Sequence, residues 1–270
     1  MAGRFPASLV LAGAGKMGGA LLRAWLEKGL EPSRIRVLDP HPSREILDLA
    51  ASAGFSFAAP DEPPEVLVLA MKPQVLDEAA ALAPLAGGNT LVISILAGKT
   101  IGDIAARLPS APAIVRAMPN LPAAIGRGAT GAAASEAVTP EGRAMAETLL
   151  GAAGHFEWLA DESLINAVTA ISGSGPAYVF YLTECLSEAG LALGLPADVA
   201  ARLARASVEG AGELLFRSPL TAPAELRRSV TSPGGTTAAA LDVLMAQDGL
   251  APLLERTVRA AKRRAEALSG

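Results

Sequence analysis

Short apolar runs alternate with amphipathic segments along the first half of this 270-residue chain. Apolar runs of this length are typical of buried strands, and amphipathic segments are typical of helices that cover a sheet. The predicted strands are Ser8–Ala12, Ile35–Leu38, Val66–Ala70, Leu91–Ile95 and Ile114–Ala117, and the clearest helices between them are Met17–Lys28 and Arg44–Ala53. Because strands that alternate with helices form parallel sheets, we predict a doubly wound α/β fold with helices on both faces.

After Asp161 the chain changes to long helical segments with few β-branched runs. Helices are predicted at Pro176–Leu193, from about Ala197 to Phe216, at Thr236–Met245 and at Ala251–Leu268. We therefore expect a domain boundary between residues 159 and 163. It would separate a sheet domain of residues 1–160 from an all-helical domain of residues 161–270.

The helix predicted at Pro176–Leu193 is apolar on nearly all of its faces. Ser174 is expected to cap it, and Pro176 falls in its first turn, where no amide hydrogen is needed. A helix that is apolar all round must be buried all round, and a domain of about 110 residues has limited core volume for this. We expect a second copy of the chain to cover this helix, so the protein should be a homodimer at least.

Charge and composition narrow the class of partner. The net charge of −4 is spread over mixed residues with no basic run, which argues against nucleic acid or an anionic membrane and favours a small molecule. The single cysteine, Cys185, excludes an internal disulfide, and the absence of a Cys/His cluster argues against a structural metal site. Cys185 itself lies in an apolar setting and is expected to be a small core residue.

The lengths of the apolar runs and the position of the first of them bear on the cellular location. The longest apolar runs, such as Val66–Met71, fall far short of the roughly 20 residues that span a bilayer. An N-terminal signal peptide would have to cut into the glycine-rich segment that follows the first strand. We therefore expect a cytoplasmic protein.

That glycine-rich segment is Gly13-Ala14-Gly15-Lys16-Met17-Gly18. It follows a predicted strand and opens a predicted helix, so its amides can approach a pyrophosphate at the helix N-terminus. Asp39 ends the second strand about twenty residues later, where a carboxylate accepts hydrogen bonds from an adenosine ribose. The pattern predicts a Rossmann-type dinucleotide site, with Pro40 beside Asp39 in the same loop.

Asp39 also bears on which dinucleotide binds. Its carboxylate would repel the 2′-phosphate of NADPH at a distance of a few ångströms, which slightly favours NADH. His41, Ser43 and Arg44 follow immediately and could turn inward to bind a phosphate, so both NADH and NADPH stay possible. His41 by itself is expected to be an exposed loop residue.

Other loops at the carboxyl ends of strands should line the same crevice. The residues concerned are Ala70-Met71-Lys72-Pro73, Ala97, and Asn120 within Arg116-Ala117-Met118-Pro119-Asn120. Lys72 taken alone could equally be a solvated lysine. For Asn120 two roles stay open, capping of the turn before Pro122 and a contribution to the nicotinamide pocket.

Two further motifs lie in the second half, Ser172-Gly173-Ser174-Gly175-Pro176-Ala177-Tyr178 and Ser232-Pro233-Gly234-Gly235-Thr236-Thr237. In the second, two glycines precede a helix whose first amides have no partner, which suits a carboxylate, although a plain Gly-Gly turn with threonine capping has the same pattern. Together with the glycine motif near the N-terminus, and in this order, they closely resemble the motifs of Δ1-pyrroline-5-carboxylate reductases. Asp39-Pro40 departs from the small polar and basic pair that is commoner in that family.

The resemblance implies reduction of a cyclic imine carboxylate, Δ1-pyrroline-5-carboxylate, to L-proline with hydride from NADH or NADPH, as the last step of proline biosynthesis. It implies that the loops of Lys72 and Asn120 face the cofactor, that Thr237 orients the ring nitrogen as the catalytic residue, and that dimers can associate into rings. The implied substrate-binding residues are Ser174, Ser232, Gly234, Gly235, Thr236 and Thr237.

Three other functions share parts of this pattern. Reductases of other cyclic imines would carry the same motifs, and a dinucleotide sensor without turnover would need only the first. β-Hydroxyacid dehydrogenases join a similar pair of domains but use a helical lysine in the second, where this chain has only Lys262, in a charged tail. His155 is expected to pack with its aromatic neighbours, and Asp161 and Glu162 are interpreted as favourable charges in a first helical turn.

Overall fold

The computed structural model describes residues 4–269 and contains one sheet in the order β2-β1-β3-β4-β5-β6-β7. Its strands are β1 (Leu9–Ala12), β2 (Ile35–Leu38), β3 (Val66–Leu69), β4 (Leu91–Ser94), β5 (Ile114–Met118), β6 (Gly128–Ala134) and β7 (Gly154–Trp158). All neighbouring strands are parallel except β5 and β6, which are antiparallel. The predicted Rossmann-type parallel sheet is confirmed, with this one reversal.

Helices cover both faces of the sheet. They are α1 (Lys16–Glu27), α2 (Arg44–Ala53), α3 (Ile101–Arg107) and α4 (Pro140–Gly151), with 3₁₀ segments at Pro32–Arg34, Pro73–Leu85, Leu121–Ile125 and Glu162–Leu164. Along β1, Leu9 and Leu11 pack into one apolar cluster and Val10 and Ala12 into another. Alternate residues of a strand point to opposite faces, so the two clusters are the two layers of a doubly wound core.

Strands β6 and β7 are absent from the sequence prediction: β6 is a run of glycine, alanine and threonine with no apolar alternation, and β7 alternates polar and apolar residues over five positions only. Their backbones approach so closely that a Cβ built on Gly154, whose φ is +144°, would lie 2.2 Å from the carbonyl oxygen of Gly128. A Cβ on Gly131 would lie 2.8 Å from Val168. Small residues are therefore a packing requirement here and not the mark of a loop.

The chain divides into two compact units. The first contains the residues up to Ser174 together with those from Ala261 onward, and the second spans Gly175–Ala260. This geometric division falls later than the expected domain boundary at residue 160, which stays a prediction.

The second unit is helical. Its helices are α6 (Gly175–Ala192), α7 (Ala197–Arg217), α8 (Pro223–Ser229), α9 (Thr236–Leu244) and α10 (Leu250–Leu268), the last turns of α10 being counted with the first unit. The all-helical character predicted for this part of the chain is confirmed, and α8 is the helix that the sequence did not predict. No residue of α6 is buried within the chain, and its exposed apolar side chains include Val179, Phe180, Tyr181, Leu182, Leu186 and Leu191.

A short helix, α5 (Ile165–Val168), runs into a π-helical turn at Thr169–Gly173 just before α6. Ser174 has helical dihedral angles, φ −88° and ψ −20°, and its amide donates to the carbonyl of Thr169 at 2.8 Å. The prediction that Ser174 caps a separate helix is therefore wrong, because a capping residue needs an extended backbone. π-Helical turns are frequent at functional sites.

Among residues 4–269, no helix has the length and apolar character needed to cross a membrane.

Candidate active site

The glycine loop lies between the ends of β1 and α1 and is fixed by backbone contacts. The amide of Gly13 donates to the carbonyl of Leu38 at 2.9 Å, and Gly13 has a φ of +93°, which favours glycine. A Cβ on Gly13 would lie 2.7 Å from the amide nitrogen of Met71, and one on Gly18 would lie 2.2 Å from the carbonyl oxygen of Gly13. These two positions therefore require glycine so that the backbone of the loop can pack closely.

Gly15 is different, because a Cβ on it would meet no atom within 4 Å. Gly15 and Lys16 are exposed, and Gly15 is the N-cap of α1 without any capping side chain. The first amides of α1 are thus unsatisfied and face an open surface, an arrangement that suits a phosphate group. The loop sits where β1 lies between β2 and β3, the point at which open α/β sheets bind nucleotides.

Asp39 is tied to this loop. Its Oδ2 accepts a hydrogen bond from the amide of Ala14 at 2.8 Å, and its Oδ1 accepts one from the amide of His41 at 2.9 Å. The carboxylate therefore holds the glycine loop in place, a role the sequence did not reveal. Pro40 and His41 are exposed beside it, as expected for His41.

The loop after β3 joins the glycine loop through Ala70 and Met71, whose backbones press against Gly13. Lys72 is exposed and precedes the 3₁₀ segment that Pro73 begins. Ala97 is also exposed, in the loop that follows β4. The predicted cofactor residues on β1 and β3 are thus brought together, while Lys72 and Ala97 extend from the same edge of the sheet.

Asn120 is almost fully buried and ties three segments together. Its Nδ2 donates to the carbonyl of Ser172 at 3.1 Å, and its Oδ1 accepts from the amide of Ala129 at 2.8 Å. It makes no capping bond to the 3₁₀ segment that follows, so the capping role considered for it is wrong. Close by, a Cβ on Gly173 would lie 2.8 Å from the Met118 methyl group, so two of the sequence motifs pack together.

Arg116 is buried on β5, and its Nη1 donates to Oε1 of Glu162 at 2.9 Å. The same oxygen accepts the amide of Ile101 at 2.8 Å. Glu162 is an acidic residue in a first turn, as interpreted from the sequence, and it also links β5 to the start of α3. Asp161 does cap the short segment, accepting the amide of Ser163 at 2.7 Å.

In the second unit, Ser232–Gly235 forms a tight turn before α9. Gly234 has a φ of +68°, and the amide of Gly235 donates to the carbonyl of Ser232 at 3.1 Å. A Cβ on Gly235 would lie 2.5 Å from Oγ of Ser232, so only glycine fits without movement. Gly235 is the N-cap of α9 and no side chain caps it, which contradicts the alternative of threonine capping.

The first amides of α9, at Thr236 and Thr237, therefore lack a capping partner, as a carboxylate-binding turn requires. Ser232, Gly234 and Thr236 are exposed, and Thr237 is half-buried.

Comparison with known proteins shows the family. Residues 162–268 match the family described as pyrroline-5-carboxylate reductase dimerisation, and residues 8–98 match the one described as NADP oxidoreductase, coenzyme F420-dependent. A pyrroline-5-carboxylate reductase of Synechocystis is 42% identical, over 96% of this chain and 97% of its own length. The chain belongs to the pyrroline-5-carboxylate reductase family.

Other members of the family agree. The reductase of Pseudomonas aeruginosa is 38% identical, with 95% of each chain covered. The structure of a reductase from Coxiella burnetii superposes with a TM-score of 0.90 at 34% identity, covering 98% of this chain and 99% of that one. A reductase from Plasmodium falciparum, solved with NADP bound, has the same fold, with a TM-score of 0.78 at 24% identity and 98% of each chain covered. This family uses NAD(P)H.

Three side chains outside the motifs lie in exposed or half-buried surroundings. His155 of this reductase is exposed and contacts Oε1 of Glu157 at 2.7 Å, so the expectation that it packs with its neighbours is wrong. Cys185 is half-buried in α6 and is therefore not a core residue within the chain. Lys262 pairs with Glu266 at 3.3 Å on the exposed face of α10. Within residues 4–269, no group of His, Cys, Asp or Glu side chains could hold a metal ion.

Proposed function

We propose that this protein reduces Δ1-pyrroline-5-carboxylate to L-proline with NADH or NADPH as the hydride donor. The observation that carries the proposal is the identity of 42% to a pyrroline-5-carboxylate reductase over nearly the whole length of both chains. The two glycine turns supply the physical basis, because each leaves the first amides of a helix without a capping side chain. One suits a phosphate and the other a carboxylate.

The dinucleotide fits the first unit. Gly13 and Gly18 shape a loop that a Cβ would fill, and the open side at Gly15 admits a diphosphate. We propose that the cofactor is held by Gly13, Ala14, Gly15, Lys16, Met17, Gly18, Asp39, Pro40, Ala70, Met71, Lys72, Pro73, Ala97 and Asn120. When bound, NAD(P)H supplies the hydride that the reduction needs.

NADH is proposed as the slightly preferred donor. The Asp39 carboxylate is fixed by its bonds to two amides and cannot easily turn away from a 2′-phosphate. Arg44, the nearest following cation, forms an ion pair with Asp48 at 2.9 Å and is thereby partly neutralised. Both features disfavour NADPH without excluding it.

The substrate is proposed to bind at Ser174, Ser232, Gly234, Gly235, Thr236 and Thr237. The amides at the start of α9 would bind the carboxylate, and the Thr237 hydroxyl would hydrogen-bond the ring nitrogen. An alcohol is a very weak acid, so Thr237 orients the imine and does not act as a strict general acid. The proton then comes from water, or the substrate arrives already protonated as the iminium.

The helical part of the chain, residues 161–270 in the proposed division, is proposed to bind substrate and to join the subunits. Its match to the family dimerisation region supports self-association, and so does α6, whose apolar side chains are not buried within one chain. A cytoplasmic location is proposed from the single cysteine, which permits no internal disulfide.

Steady-state oxidation of NADH and NADPH with Δ1-pyrroline-5-carboxylate tests the function. We expect turnover with both donors, a modestly higher kcat/KM with NADH, and formation of L-proline in equal amount to the nucleotide oxidised. Purified protein that binds nucleotide yet oxidises neither donor with this substrate would contradict the proposal.

A further inference from the structure

One carboxylate oxygen in the first unit joins strand β5 to the start of helix α3. Oε1 of Glu162 accepts from Nη1 of Arg116 at 2.9 Å and from the amide of Ile101 at 2.8 Å. The Arg116 side chain is only 5% exposed and that of Glu162 is 30% exposed. The two donors lie on different elements, β5 and the first residue of α3.

Such a junction is rigid for physical reasons. Hydrogen bonds between charged groups are shorter and stronger than neutral ones, and a buried guanidinium that loses its counter-ion is strongly disfavoured. Within residues 4–269, Glu162 is the acidic partner of the Arg116 guanidinium. The Glu162 carboxylate therefore fixes the Arg116 guanidinium and the Ile101 amide relative to each other.

Each donor anchors a loop at the nucleotide-binding edge of the sheet. Ile101 follows directly on the loop from Ala97 to Thr100, and Thr100 is locked to Asp103 by reciprocal hydrogen bonds of 2.8 and 3.0 Å. Arg116 lies just before the segment Met118–Asn120. The far end of this segment is held by the two hydrogen bonds of the Asn120 side chain. Both loops leave the carboxyl ends of parallel strands, the edge where open α/β sheets bind dinucleotides.

We propose that Glu162 is a positioning residue for the dinucleotide, acting through Arg116 and Ile101 to hold the Ala97–Thr100 loop and the Met118–Asn120 segment in register. The inference rests on the proposed function, because it assumes that this edge binds NAD(P)H. A positioning role of Glu162 differs from that of a purely stabilising ion pair in one measurable consequence. Loss of the carboxylate should weaken nucleotide binding in protein that is still folded.

The test is Glu162→Gln, which keeps the size of the side chain and removes the charge. We expect the dissociation constant for NADH and the KM for NADH each to rise about tenfold, because an uncharged amide oxygen binds the buried Arg116 guanidinium more weakly and holds the two loops less firmly. The KM for Δ1-pyrroline-5-carboxylate should change less than about twofold, because the two loops are proposed to position the dinucleotide and not the substrate. Glu157→Gln, an exposed carboxylate on β7, is the matched control and should leave all three constants unchanged.

A second variant separates the two bonds. Ile101→Pro deletes the donor to Glu162 but leaves the ion pair, and proline is tolerated at the first residue of a helix. Thr100 is extended, with φ −82° and ψ 165°, as a residue before proline must be. We expect the NADH dissociation constant of Ile101→Pro to rise about threefold. If Glu162→Gln does not fold, this variant alone tests the positioning role.

Folded variants that bind NADH as tightly as the parent, with only a lower melting temperature, would overturn the positioning role. If both Glu162→Gln and Ile101→Pro bind NADH more weakly, the positioning role stands, even where the parent protein does not reduce Δ1-pyrroline-5-carboxylate. The absence of that activity in the parent would contradict only the proposed reaction. The two proposals therefore fail separately.

Discussion

The Oδ2 of Asp39 accepts a hydrogen bond from the amide of Ala14 at 2.8 Å, so the acidic residue at the end of β2 holds the glycine loop at the end of β1. A carboxylate in this position has two separable effects. It is an acceptor that shapes the loop, and it is a charge that a bound nucleotide encounters.

Asp39→Asn separates these effects, because the amide oxygen keeps one acceptor and the charge is lost. We expect the ratio of kcat/KM for NADPH to that for NADH to rise about tenfold or more, since repulsion between charges a few ångströms apart is worth several kcal/mol before screening. Parallel steady-state measurements give the ratio. Asp61→Asn, an exposed aspartate, is the control, and an unchanged ratio in Asp39→Asn would show that its charge does not select the donor.

Two glycines of the same loop should respond differently to alanine. Gly18→Ala places a Cβ 2.2 Å from the carbonyl oxygen of Gly13, so we expect a loss of stability of about 1–3 kcal/mol. Gly15→Ala meets no atom within 4 Å, so stability should hold while the dissociation constant for NADH rises about tenfold. Denaturant unfolding and nucleotide titration of both variants check this. Tight NADH binding by Gly15→Ala would exclude close approach of the pyrophosphate.

Thr237→Ala tests the turn before α9. We expect kcat to fall by roughly 10- to 1,000-fold, the range for losing one positioned hydrogen-bond partner, whereas Thr237→Ser retains much of the activity. Thr148→Ala is a suitable control, because that hydroxyl bonds only within α4, to the carbonyl of Ala144. Steady-state turnover at saturating substrate is the measurement. Parental activity in Thr237→Ala would remove its proposed role.

The first turn of α3 should be sensitive to acid. Burial raises the pKa of Asp103, but hydrogen bonds from Thr100 and the positive charges of Lys99 and Arg107 outweigh burial and hold that pKa below its ordinary value. A lowered carboxyl pKa contributes stability that is complete above the unfolded value of about 3.9 and is lost as the pH falls through the folded value.

Asp103→Asn should therefore be less stable than the parent near pH 7, by about 0.5–2 kcal/mol, as for the loss of a helix cap. The difference should shrink as the pH is lowered from about 5 to 3, where the parent carboxylate takes up its proton. Urea unfolding across this range measures it. A difference that is constant with pH would mean that the charge of Asp103 contributes nothing.

Phe180→Glu tests how the subunits associate. Phe180 is 56% exposed on α6, and a charge at this position would have to be buried if a second copy covers the helix. We expect the variant to be monomeric by light scattering at concentrations where the parent is at least a dimer. Leu47→Glu on α2, where leucine is 43% exposed, should leave the mass unchanged. A dimeric Phe180→Glu would place the interface elsewhere.

Much of the fold follows from sequence periodicity. The predicted ends of β2 and α2 match the structure to the residue, and those of β1, β3 and β4 to within one, because short, mostly apolar runs and the stop at Gly54 are local signals. β6 and β7 have no such signal. Their glycines are explained only by contacts with residues far away in sequence, such as Gly128 with Gly154.

The site shows the same division. The motifs alone located the glycine loop, the turn at Gly234 and Gly235, and the family, because those features depend on residue type and spacing. The bonds of Asp39 to Ala14, of Asn120 to Ser172 and of Glu162 to Arg116 join residues 25 to 52 positions apart, and no local pattern encodes them.

Local conformational preference and hydrophobic period thus encode the class of fold, the family motifs and the positions of the two helix N-termini that no side chain caps. The identity of the polar side chains that hold the neighbouring loops follows from long-range packing. A buried carboxylate or amide must find its donors wherever the packed chain places them, and that placement is set by the sheet as a whole.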